Sequence, residues 1–116
     1  EIEVPVLLIT ADGPPTGKEE DYISPFWNWL TQDDAIWVNI TTAGHQSFGI
    51  LCDIMPSFAE DEGCSDAFMP HAEVYDLINV YALAFARYHL WDDQSMAPIV
   101  SGEESLSAEV KVYTQQ

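Results

Sequence analysis

The order of segments along this chain predicts an α/β fold, with parallel strands joined by a crossover helix and a long amphipathic helix after them. Three observations carry that expectation. Residues 4–10 (Val4-Pro5-Val6-Leu7-Leu8-Ile9-Thr10) form a near-continuous apolar run, the pattern of a parallel strand buried on both faces. Residues 36–42 repeat a β-rich pattern after a connection long enough for a crossover. Between residues 70 and 91, Val74, Leu77, Ile78, Tyr81, Phe85 and Tyr88 recur at helical spacing.

Each element has a local reason. Pro5 suits the first residues of a strand, where a missing N–H is tolerated. Asp12-Gly13-Pro14-Pro15 makes a turn or loop. Ser24 followed by Pro25 reads as an N-cap and first helical residue, with Phe26, Trp27 and Leu30 on one face of a helix ending near Thr31. Asp33-Asp34 opens the loop to the second strand. That strand runs into Ala43-Gly44-His45-Gln46-Ser47-Phe48. A short helical piece over residues 47–55 is stopped by Pro56, and an acidic loop follows over residues 60–66. Asp92-Asp93 ends the long helix, and residues 101–104 read as a turn. Residues 110–113 suit either a short edge strand or an irregular segment. No repeat or linker divides the chain, so one domain-sized segment is expected. Two parallel strands leave at least one sheet edge open, so the folded unit is expected to include more chain than these 116 residues.

Twenty acidic residues against three basic ones give a net charge of −17. Phosphate binding requires Lys and Arg, so nucleic acid is an unsuitable partner, and an anionic membrane surface is unsuitable for the same reason. Self-repulsion on this scale disfavours a compact state at low salt, while the Debye length falls to about 3 Å at 1 M salt. The composition fits a halophile surface, or else an acidic mesophilic protein or an acidic half of a chain whose other half is less so. No apolar run approaches the ~20 residues of a spanning helix. No signal peptide is visible. The start at Glu1, without Met, reads as a mature, processed or excised product, so that absence does not decide export.

Cys52 and Cys64 are the only cysteines. Without clustered histidines they make no structural zinc site. Their spacing favours a disulfide closing a polar loop, with two buried thiols as the alternative; a disulfide points to an oxidising, extracellular setting. His45, on a glycine-containing loop leaving a buried strand, is placed to be rigid yet reachable, as a general base must be. A loop histidine bonded for structure alone is the plainer alternative. His71 and His89 belong to the long helix and its packing. Ser47 lacks the flanking glycines of a G-x-S-x-G elbow, and no such elbow occurs in the chain. The acidic loop over residues 60–66 offers carboxylates to a calcium ion but lacks the ordered spacing of an EF-hand, so a solvated loop is expected, with a calcium-dependent structural module as the third alternative. No cofactor or metal is expected.

Together these segments resemble the C-terminal portion of an α/β-hydrolase: residues 4–12, residues 36–48 centred on the His45 loop, and the helix over residues 70–91. The resemblance is to dienelactone hydrolase-like and platelet-activating-factor acetylhydrolase-like enzymes, the group that includes polyester hydrolases. It implies a Ser-His-Asp mechanism acting on carboxylic esters. His45 would be the base. The chain order Ser, Asp, His puts the serine on a companion N-terminal segment. Asp12 follows the first strand as the acid should, although the usual position falls nearer Pro14. In the acetylhydrolase-like branch the acid comes from an earlier strand, which leaves Asp12 as a turn residue. The rival expectation is a non-catalytic acidic binding or interaction module of the same ancestry.

Overall fold

A computed structural model describes residues 2–13 and 19–115. It has mixed α/β content, as the sequence predicts. Strands β1 (Val6–Ala11), β2 (Ala35–Ile40) and β3 (Val110–Thr114) form one sheet in the order β1-β2-β3. β1 and β2 run parallel, in register from Val6 opposite Ala35 to Ala11 opposite Ile40. β3 runs antiparallel to β2, from Thr114 opposite Ile36 to Val110 opposite Ile40. The segment over residues 110–113 is thus an edge strand, and the sheet is mixed rather than purely parallel.

Alternation along the strands divides the side chains between two cores. On one face, Trp37 and Ala35 pack with Trp27 and Leu30 of α1 (Glu19–Trp29) and its C-terminal end, joined by Val6, Leu8, Ile23 and Tyr113. Trp37 lies between the rings of Trp27, 5.9 Å away, and Tyr113, 4.6 Å away. On the other face, Ile36, Val38 and Ile40 pack with Val74 and Tyr81 of α3 (His71–Trp91), joined by Leu7, Ile9 and Val112. β2 lies between two strands and two helical layers, and all six of its residues are buried. Two single-turn helices complete the chain, α2 (Leu51–Ile54) and α4 (Ala97–Val100), the latter beside α3.

Several boundaries differ from expectation for identifiable reasons. β1 starts at Val6, with Pro5 outside the ladder it cannot donate to. β2 stops at Ile40 because Thr41 and Thr42 turn the chain. α1 begins at Glu19, five residues before the Ser24-Pro25 signal, and contains Pro25. The spacing of Ile23, Trp27 and Leu30 on the sheet decides where this helix runs. Pro25 points to solvent, where its lost hydrogen bond leaves no buried group stranded. α3 agrees with the sequence to one residue, with Pro70 as its N-cap and Asp92 in the left-handed conformation at its end. Pro14 and Pro15 of the Asp12-Gly13-Pro14-Pro15 turn lie outside the described residues.

Candidate active site

Because β1 and β2 are parallel and end level, the residues that follow them emerge at the same end of the sheet. Asp12 N–H donates to Ile40 O at 3.0 Å, and Gly13 N–H donates to Ala43 O at 2.7 Å. The loop carrying Asp12 is therefore hydrogen-bonded to the loop carrying His45. The contact is close enough to require glycine at position 13: a Cβ there would sit 2.4 Å from Ala43 O and 2.9 Å from the Phe68 ring. Further backbone bonds hold the second loop from two other directions. Thr41 N–H donates to Glu109 O, 2.8 Å, and Met69 N–H donates to Thr42 O, 2.9 Å. Asp12 is partly buried, Ala43 and Gly44 are buried, and His45 is exposed at the first position of a 3₁₀ turn, His45–Phe48.

Ser47, two residues on, is buried, and its hydroxyl is committed to the fold. It accepts from Gly44 N–H at 3.0 Å and donates to Gly63 O at 3.4 Å. Gly63 adopts φ +128°, and a Cβ there would meet Ser47 Oγ at 2.4 Å. Ser47 is thus a latch between the His45 turn and the turn at residue 63. The disulfide Cys52–Cys64 ties the same two limbs together; Cys52 Sγ lies 3.6 Å from Gln46 O. The cysteine spacing made this bond legible in the sequence.

Two further contacts fasten the loop to α3. His71 Nε2 lies 2.6 Å from Asp53 Oδ1, and the His71 ring meets Tyr75 edge-on at 5.2 Å. Tyr75 hydroxyl donates to Gly49 O. Neither contact is visible in the sequence, because a chain of short 3₁₀ turns sets the spacing between the partners. His71 therefore braces the His45 loop. His89 packs on Phe85 and Tyr88 and lines a cavity of about 480 Å³ with Asp33, Asp34 and Glu103. Asp33 and Asp34 precede β2, so this cavity lies at the other end of the sheet from His45.

The strands below the two loops carry a buried polar relay. Trp37 Nε1–H donates to Thr10 Oγ1 at 2.8 Å, and Thr10 donates to Asn39 Oδ1 at 2.8 Å. Asn39 is fully buried, and its Nδ2 has no hydrogen-bond partner among the described residues. The only sequence signal for this relay was a lone Asn inside an apolar strand. The acidic loop forms a 3₁₀ turn at Glu60–Glu62 whose residues are exposed. Among the described residues, no group of three or more His, Cys, Asp or Glu side chains is placed to hold a metal ion. Nor is any helix long and apolar enough to cross a membrane.

No family model, curated protein or solved structure matches this chain. What the arrangement can do is therefore argued from its chemistry. An exposed imidazole on a loop pinned at several points can exchange protons with a reactant delivered to it, and a carboxylate emerges on the adjoining loop.

Proposed function

We propose that this chain supplies the base, His45, and a candidate acid, Asp12, of a serine ester hydrolase whose nucleophile lies on a companion segment. The single observation supporting this is the delivery of both residues to the carboxyl ends of two adjacent parallel strands, on loops hydrogen-bonded to each other. In open α/β sheets that end is where ligands bind. In this reading, the companion's serine hydroxyl loses its proton to the imidazole as it attacks an ester carbonyl. The imidazolium then returns the proton to the departing alcohol, and the carboxylate fixes the ring orientation. Ser47 is not the nucleophile, because its hydroxyl is buried and already used on both sides. Alone, the chain is expected to be inactive toward short-chain p-nitrophenyl esters. Joined with a serine-bearing companion it gains activity, which His45→Ala abolishes. Hydrolysis by the isolated chain that survives His45→Ala would overturn the assignment.

The exposure of His45 favours one other reading, a non-catalytic acidic interaction module. An intact companion that carries no serine elbow, with no esterase activity in the assembled protein, would select it.

A further inference from the structure

We propose that the outer edge of β1 is an interface, and that its occupant is a polypeptide segment, less acidic than this chain, that adds a β-strand to the sheet. The direction of that strand rests on the hydrolase reading above; the interface itself does not.

The first reason is a mismatch between composition and position. β1, Val6-Leu7-Leu8-Ile9-Thr10-Ala11, is apolar on both faces, as an interior strand of an α/β sheet is. Yet it stands at the end of the order β1-β2-β3, and no strand pairs with its outer edge among the described residues. Strands that are true edges carry charges, prolines or bulges that block further pairing. β3, at the opposite edge, carries a charged residue, Lys111, as its second residue. β1 has no charged residue, and its one nearby proline, Pro5, precedes the ladder. Its side chains feed both cores, but Val6 through Thr10 stay only partly buried.

The second reason is that the first helix, which covers one face of the sheet, carries a spare apolar stripe. Beside the sheet-facing Ile23, Trp27 and Leu30, the first helix exposes Tyr22, Phe26 and Trp29 at the same i, i+4, i+7 spacing, with Trp29 58% exposed. α3 also exposes Val80, Leu83 and Leu90, but on the helix side turned away from its sheet-facing residues, so they do not bear on the edge. Isolated apolar residues on a surface need no explanation, but an aligned stripe beside the sheet-facing one marks contact with more protein.

The chemistry of the edge selects the occupant. A row of backbone N–H and C=O groups flanked by apolar side chains is matched by another strand, which offers both; a lipid surface offers neither in order. A second copy of this chain would bring −17 against −17, a repulsion that works against association at low salt, so the complementary partner is neutral or basic. A strand running parallel to β1 would deliver its own carboxyl end, and any serine on it, to the end of the sheet that carries His45.

The test uses the ¹⁵N-labelled 116-residue chain and a synthetic probe of about ten residues, valine-rich with lysines at both ends. Backbone amide exchange and chemical shifts are followed by NMR during titration, with sedimentation measured in parallel. The expected result is a slowing of exchange by at least about tenfold confined to β1, with shift changes there and along the exposed stripe of the first helix. No slowing at β1, or equal slowing at β3, overturns the interface. A dimer at low salt without the probe, with β1 amides already protected, puts a second copy at the edge and overturns the less acidic partner. Probe pairing at β1 together with esterase inactivity of every serine-bearing assembly leaves the interface standing and removes the hydrolase reading. His45-dependent esterase activity with β1 unpaired does the reverse.

Discussion

At the scale of single residues, the loop that carries His45 sets a buried side chain beside an exposed one. Ser47 is buried between Gly44 and Gly63, so Ser47→Ala strands a buried N–H and a buried carbonyl. We expect a loss of about 1–3 kcal/mol in urea unfolding. His45 is exposed, so His45→Ala should change stability by less than about 0.5 kcal/mol. A catalytic role predicts that this same silent substitution removes activity in the assembled enzyme, whereas a structural histidine would produce the opposite pairing. Asp93 supplies the pH dependence. The Ser95 hydroxyl first, then the Arg87 guanidinium, hold its carboxyl below the ordinary carboxylate value. A carboxylate depressed in the folded state adds stability above its unfolded pKa of about 3.9. That stability is lost as pH falls through the lower folded value. Melting temperature followed against pH should fall less steeply below about pH 4 in Asp93→Asn than in the parent chain; identical slopes would refute the linkage.

At the scale of elements, the disulfide closes a loop with a sequence separation of 12. Cutting it should cost about 2–4 kcal/mol, measured as the shift in urea midpoint on reduction, or in the Cys52→Ser, Cys64→Ser double variant. The loss should be felt first at the latch, as faster amide exchange at Gly44 and Ser47 while α3 stays protected. How far these elements were legible in the sequence follows from how local their causes are. β1, β2 and α3 were readable because unbroken apolar runs and a helical period are repeated signals, and the loop ends that carry Asp12 and His45 came with them. The start of α1 was not, because the Ser24-Pro25 pair is a strong local signal overruled by the fit of Trp27 and Leu30 against the sheet. β3 stayed ambiguous because a five-residue stretch interrupted by a lysine has weak periodicity, and its pairing with β2 spans most of the chain. The bracing of the His45 loop by Asp53, His71 and Tyr75 was invisible for the same reason. These contacts depend on where several short turns deliver their ends.

At the scale of the whole molecule, the charge sets the conditions under which the rest operates. Twenty acids and three bases cannot be paired off. Among the described residues, the Arg87–Asp93 bridge is partly exposed, and the His71–Asp53 contact counts as an ion pair only when His71 is protonated. Most of the negative charge therefore repels itself across the surface, opposing both compaction and any approach of a second acidic chain. Added salt should relieve this repulsion over the range in which the Debye length shrinks from about 10 Å at 0.1 M to about 3 Å at 1 M. The isolated chain should accordingly gain melting temperature steeply with KCl up to about 1 M, then more slowly as residual ion-specific effects take over. Comparing KCl with an equal osmolality of sucrose isolates screening, because sucrose strengthens burial without screening charge. A flat response to KCl would mean that the fold tolerates its charge through spacing alone, as an acidic mesophilic chain does. It would also remove the physical reason for excluding a second copy from the open edge of β1, so the salt series and the probe titration constrain each other.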